Sequence, residues 1–508
     1  MTYEHIPAEQ FAFVQENEKL HDLELQTKAR GYFADAMIRF RKNRSSVIAA
    51  WILLFLVLYA IIAPIISRYS VYDTDKLYIN FPAYVPSIAK MNIGILDGAR
   101  KFDSQNDDAM LKWRAIAEET GMDPVIKVVD THETEVKYRG QMVTRTTYDI
   151  EVNAYFANAM VYKVLSYSEF QALQDWQNET GIQVIYPYVN PNDINGISDS
   201  PNIWYQVADG NGTPVLDANG NFIPAYSTNQ AGAGAAYNSI RIPGDDGSYA
   251  YSVAKSGAVQ CRLLYYNYYR YLNGYEPSYI MGTNLMGMDL FCAIGAGARF
   301  SLIFAIIVSA INLTIGIIYG SIQGYYGGYI DMALDRISDI LSGVPFVVVT
   351  VLFQLHLSQK VGALGSFLFA FVLTGWIGMA HLTRRQFYRF KSQEFVMAAR
   401  TLGASDRRLM FKHILPNGIG SIITSVAMVI PGVIGSETSM TYLGIVNLQA
   451  FAGTTIGTLL SQGSGSATSA PHAILWPSVF LGLLMISFNL FGNGLRDAFN
   501  PTTRGVDD

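Results

Sequence analysis

The apolar residues of this chain gather into six runs, separated by polar or charged stretches. The first, 47–66, holds about 20 residues without a charge, enough to cross a hydrocarbon core of about 30 Å. Pro64 and Arg68 close it. The other five come only after residue 280, at 300–319, 340–357, 361–382, 419–442 and 474–490. This pattern predicts an all-α polytopic membrane bundle of six transmembrane helices. Ahead of the first run, Phe33, Met37 and Phe40 share one helical face among Arg39, Arg41, Lys42 and Arg44, which suits a helix lying at the headgroup boundary.

Between the first two runs, residues 70–280 offer no spanning segment and are numerous enough for a folded domain. Helix-like patches fall at 107–120 and 168–180, and strand-like alternation at 125–129, 144–152 and 183–188. Turn signals at Asp209-Gly210-Asn211-Gly212 and Asn219-Gly220 predict hairpins within 204–226. An inserted α+β domain is expected. The tyrosine-rich stretch 265–275 suits packing or a membrane-interface belt better than a ligand wall. The chain thus divides into a polar tail (1–28), an interfacial helix with the first transmembrane helix (29–69), the insertion (70–280), and a core of five helices (281–508) with a cytoplasmic loop at 384–417.

Composition supports the membrane assignment. Only 15% of the 508 residues are charged and 50% are hydrophobic, against about 25% charged in soluble domains. A net charge of -5 argues against nucleic-acid binding. The basic cluster before the first run places the N-terminus in the cytoplasm, and six crossings return the C-terminus there, leaving 70–280 extracellular. No small-residue cleavage site follows the first run, so a cleaved signal peptide is not expected. Cys261 and Cys292 read as two thiols, not a disulfide framework. No G-x-S-x-G, metal-ligand spacing or G-x-x-x-x-G-K-[ST] occurs, and His132 reads as a surface residue.

Ionisable or polar groups inside spans raise functional hypotheses. Glu437 and Asn312 are the candidates for lining a translocation path; Glu437 equally suits an interior hydrogen bond. His356 and His381 fall at span ends, and a proton relay would need more such groups.

The most structured cytoplasmic stretch is 391–417, KSQEFVMAARTLGASDRRLMFKHILPN. Ser392 can cap a helix whose first turn holds Glu394 and which continues through Phe395, Met397, Ala398, Ala399 and Arg400. Gly403 can stop it in a left-handed conformation. After Ala404, Ser405 can cap a second helix from Asp406, ended by Pro416. The outcome is helix, turn, helix. Its small residues suit a partner's groove, and its amphipathicity suits the membrane surface equally well.

The wording of this stretch resembles the cytoplasmic signature of ABC importer permeases, most narrowly the C-type permease subunit of oligopeptide and dipeptide importers. Glu394-Phe395-Val396, Arg400 to Asp406 and His413 to Asn417 carry the likeness. Gly282-Thr283-Asn284, Gly297-Ala298-Arg299, Gly324 to Gly328, Asp331, Arg336, Asp339, Leu443-Gly444 and Gly494 to Asp497 continue it in order, over about 30–68 and 277–504. The resemblance implies a type I permease forming half of a channel. It implies a B-type permease, two ATPase subunits that hold ATP and Mg, and an extracellular peptide-binding lipoprotein as partners, with membrane lipid around and a peptide as cargo. The chain itself would bind no cofactor and perform no chemistry. Three departures stand out: Met397 occupies the signature's glutamate position, with Glu394 one turn earlier as compensation; Asn284 and Met288 replace an Asp and an Arg; and the insertion is unusually long. Alternatives are a membrane-anchored extracellular sensor and a permease for nickel or another small solute.

Overall fold

The computed structural model describes residues 32–106, 110, 113, 116–117, 120–138, 141–186, 218, 252–253 and 258–499. The polar tail 1–28, the hairpins expected within 204–226 and much of the helix expected at 107–120 lie outside the described residues.

Among the described residues, five helical stretches are long and apolar enough to cross a membrane. Helix α1 (Tyr32–Lys42) precedes the first, α2 (Arg44–Ile66), whose N-cap Asn43 accepts from Ser46 N. The second is α5 (Leu290–Tyr326), introduced after the insertion below. The third, Phe346–Phe390, is not one straight rod. Gly362 (φ 77, ψ 164) breaks it, and Gln354 Nε2 donates across the break to Ala363 O at 2.9 Å. The Phe346 and Phe371 ring centroids lie 4.7 Å apart, where an unbroken helix at 1.5 Å per residue would separate the two positions by roughly 37 Å. The stretch is therefore a helical hairpin with antiparallel arms, matching the two sequence runs on either side of residue 360.

Between α2 and α5 the described residues form two antiparallel sheets. Strands β1 (Ala99–Asn106), β2 (Val125–Tyr138) and β3 (Gln141–Asn153) pair in the order β1-β3-β2. Strands β4 (Met160–Leu165), β5 (Ile185–Tyr186), β6 (Ser252–Val253) and β7 (Val259–Leu264) form the second sheet, with β7 paired to all three others. Helix α3 (Tyr167–Thr180) starts with a Ser166–Glu169 capping box. Helix α4 (Tyr265–Asn273) buries Tyr265, Tyr266, Tyr268 and Tyr269 against Tyr78, Tyr84, Tyr155 and Tyr279. Of the two sequence readings of 265–275, the rings take the packing role, in edge-to-face and stacked pairs at 4.5–6.5 Å.

After α5 come α6 (Gly328–Ser342), the hairpin's α7 (Phe346–Thr374), α8 (Ile377–Phe390), α9 (Glu394–Thr401) and α10 (Asp406–Tyr442). Helices α11 (Ile456–Gly465) and α12 (His472–Phe499) complete the chain. Two sequence expectations are corrected here. The cap of α9 is Gln393, not Ser392, with no side-chain bond. Pro416 does not end a separate helix: a π-helical turn, Leu409–Ile414, widens the backbone just before it, and the proline falls in the first turn of the regular helix that runs on through the span.

Helices α5 and α8 pack backbone to backbone along a glycine stripe. Gly316, Gly320 and Gly324 recur every fourth residue, and a Cβ at Gly320 would lie 2.2 Å from Ala380 O. Removing side chains along this stripe lets the two backbones touch, the usual solution between helices in lipid.

Candidate functional site

The stretch 391–417 folds back under the bundle. Val396, on the inner face of α9, joins Leu409, Met410, Ile414, Phe387 and Tyr325 in a buried apolar cluster, with Ala399 and Ala404 packed against it. Gly403 takes φ 82, the left-handed region that favours glycine, and its N–H returns to Arg400 O at 2.9 Å. Ala404 N donates to Ala399 O at 3.1 Å, so the turn is closed on both sides. Arg400 Nη2 donates to the Tyr325 hydroxyl at 3.2 Å, and that hydroxyl donates to Asp406 Oδ1. Lys391 Nζ donates to Gly324 O at 3.0 Å. Both ends of the helix-turn-helix are thereby fastened to the end of α5.

The opposite face is free. Phe395 is 41% exposed, Met397 54% and Leu402 88%, with Ala398 and Glu394 exposed beside them. An apolar lip of this kind, held on a rigid base, is a docking surface in its chemistry. Of the sequence-selected residues, the fold brings Phe395, Met397, Ala398 and Gly403 to the free side. Arg400, Ala404 and Asp406 serve as anchors, and Pro416 belongs to the helix behind.

Sequence reasoning missed the ion-pair cluster that backs this surface. Arg384 on α8 reaches Asp331 Oδ2 at 2.6 Å and Asp335 Oδ1 at 2.8 Å on α6, Tyr388 donates to the same Asp331 oxygen, and Gln323 Nε2 donates to Asp335 at 3.1 Å. Burial pushes the Asp331 carboxyl up, but the Arg384 and Tyr388 bonds outweigh it and hold the group below its usual range. Asp331 was noticed as a motif residue; its partner, 53 positions away, could not be chosen among the neighbouring arginines from sequence.

The two path candidates part company. Glu437 is fully buried and accepts from Ser301 Oγ at 2.7 Å and Thr441 Oγ1 at 3.4 Å, tying α10 to α5. Asn312 lines a cavity of about 220 Å³ between α5, α8 and α10, with Ser309, Gly375 and Ser425. A second cavity of about 490 Å³ adjoins it toward the loop, lined by Arg385, Arg389, Ser421, Thr424 and Arg496. Leu382, Arg385 and Ser425 belong to both walls.

Among the described residues, no group of three His, Cys, Asp or Glu side chains is placed to hold a metal ion. Cys261 and Cys292 are both free and buried. Burial pushes the Cys261 thiol up to about 12.

Two family profiles match the chain. One, described as "Binding-protein-dependent transport system inner membrane component", covers residues 313–505. The other, "N-terminal TM domain of oligopeptide transport permease C", covers 31–83. The Bacillus subtilis oligopeptide transport system permease protein OppC is 37% identical over 223 residues, 44% of this chain and 72% of the relative. The dipeptide transport system permease protein DppC of the same organism is 35% identical over 224 residues, 44% and 68% of the two chains. OppC of Escherichia coli K12 is 34% identical over 232 residues, 45% and 74%. Among solved structures, the inward-facing MetNI methionine ABC transporter aligns at a TM-score of 0.34 and 15% identity, covering 41% of this chain and 96% of the other.

Proposed function

The chain belongs to the binding-protein-dependent transport inner membrane components, in the oligopeptide and dipeptide permease C branch, and from that premise we propose that it forms half of the channel of an ATP-driven peptide importer. The observation that carries the coupling role is the apolar lip of Phe395, Met397 and Leu402 on a base fastened to α5 and α8. In this reading the lip docks in the groove of an ATPase subunit. Two such subunits hold ATP and Mg, and a second, B-type permease completes the channel. ATP-driven closure of the ATPases moves α9 and its turn as a lever. The Arg400–Tyr325–Asp406 and Arg384–Asp331 contacts pass that motion to α5, α6 and α8 together.

The hairpin at Gly362 crosses twice, which makes six crossings with both termini cytoplasmic and residues 70–280 outside. That insertion docks the peptide-binding lipoprotein over the channel mouth. Met397 replaces a charge with a thioether, so packing dominates the ATPase contact.

Burying a leucine contributes about 1.5–3 kcal/mol. Leu402→Asp is therefore expected to cut both peptide uptake and ATPase co-purification about tenfold or more, while the chain still reaches the membrane. Full co-purification and uptake in both Leu402→Asp and Met397→Asp would refute the docking role.

A further inference from the structure

Arg384 and Arg385 are neighbours on α8 with opposite circumstances. Arg384 is paired with two carboxylates. Arg385 points into the cavities on the other side, where Arg389, one turn on, and Arg496 of α12 join it. None of these three has an acidic partner within ion-pair distance among the described residues; Asp331 and Asp335 take Arg384 as their arginine partner. Three guanidinium groups around about 490 Å³ form a strongly cationic chamber that calls for an anion.

The adjoining 220 Å³ cavity adds a second, independent observation. Ser309 Oγ and Asn312 Oδ1 are buried, each residue 3% exposed, and neither atom has a hydrogen-bond partner. Asn312 is wedged against Gly375, where a Cβ would meet its amide nitrogen at 2.3 Å. Buried polar atoms without partners carry a desolvation cost that a bound donor or acceptor removes.

We infer that the two joined cavities form a site for the C-terminal end of a peptide in transit, its carboxylate held by Arg385 and its amides facing Asn312 and Ser309. A planar guanidinium matches a carboxylate bidentately. A lipid phosphate would satisfy the arginines equally, and Leu313, Met379, Val426 and Val429 would accept an acyl chain, but that chain would leave the buried Ser309 and Asn312 oxygens without partners. A peptide supplies both the anion and the amide groups. The inference rests on the peptide-permease reading above.

The test uses the complete transporter in proteoliposomes, supplied with tetraalanine or its C-terminal amide, each preloaded on the binding protein. The amide lacks the charge that strengthens the contact, so the wild type should move the acid about tenfold faster than the amide. Arg385→Gln should lower acid uptake about tenfold and abolish the preference for the acid over the amide. Arg385→Lys, which keeps the charge and loses the fork, should fall between the wild type and Arg385→Gln. Equal wild-type rates for the two peptides, or an Arg385→Gln variant that slows both alike, would overturn the carboxylate site while the peptide reading stands. An effect of Arg385→Gln that disappears in vesicles of phosphatidylcholine alone would assign the chamber to anionic lipid instead. A wild type that moves neither peptide removes the underlying reading, and this inference with it.

Discussion

At the scale of single residues, the departures from the family wording have structural explanations. Asn284 accepts from Met286 N and Met288 N at 3.0 and 2.9 Å, and its amide donates to Gln462 at 3.0 Å on α11. The amide both accepts and donates here, joining the turn before α5 to α11. Met288 is buried, so no ionic contact is made from that position. Asp289 next to it caps α5, accepting from Phe291 N, Cys292 N and Ser67 Oγ. Burial pushes its carboxyl up to about 6, from an ordinary value of 3.8. A raised folded-state value means that its favourable contribution is complete below pH 3.8 and is lost as pH rises through 6. Above that pH the fold holds a buried charge, at a cost of up to roughly 3 kcal/mol. Asp289→Asn keeps the cap and removes the charge. Its thermal midpoint in detergent should exceed the wild type's at pH 7.5, and the gap should close toward pH 4. A lower midpoint at pH 7.5 would show that the charge-assisted cap bonds outweigh burial.

Among the elements, the runs of apolar residues made the helices legible, and charge made the loop 384–417 stand out. The packing partners were not legible. Gly316, Gly320 and Gly324 share one face at a spacing any reader can see, yet only the structure shows that α8 backbone fills it. Gly320→Leu should force α5 and α8 apart, costing several kcal/mol, more than the about 1–3 typical of overpacking because the obstacle is a carbonyl. The expected readout is loss of the monodisperse detergent-solubilised protein. Gly432→Ala is the control: nothing lies within 4 Å of its Cβ, and alanine in a helix interior is favoured by about 0.5–1 kcal/mol. If both variants behaved alike, the stripe would not be the joint proposed. The break at Pro416 was misread for a related reason. Proline excludes a regular preceding turn, but a π-turn satisfies the same restriction without ending the helix.

Across the whole molecule, the insertion is not a pendant. Its tyrosine core includes Tyr279, and Tyr78 O accepts from Thr283, whose own carbonyl is bonded by His472 at the start of α12. Tyr265 donates to Asp75 Oδ2 at 2.7 Å, and Asp75 N donates to Gly287 O at 3.3 Å. The segment before α5 is thus shared between insertion and bundle, which lets a load on the insertion reach α5 and α12. Within the insertion, a register shift in β2 leaves Val128 and Val129 both exposed, beside the Asp149–Ile150 stretch of β3. On the reading that the insertion docks the binding protein, Val128→Asp with Val129→Asp should weaken that complex about tenfold, 1.4 kcal/mol. Exposed substitutions of this kind usually change stability by no more than about 0.5 kcal/mol, so the fold should persist. Unchanged affinity would move the docking surface elsewhere on the insertion.

By itself the sequence determined the membrane class, the apolar runs, the strand periodicity of 125–129 and 144–152 and the family. Each of these depends on local composition or on the order of short motifs. Only the tertiary structure decided that Arg384 is neutralised while Arg385 is not, that Glu437 is an interior tie while Asn312 faces a cavity, and that α9 turns Val396 inward and Leu402 outward. Those outcomes depend on which distant side chain occupies the neighbouring space. A helix of period 3.6 displays every face to the reader, and the fold alone selects the one that is covered.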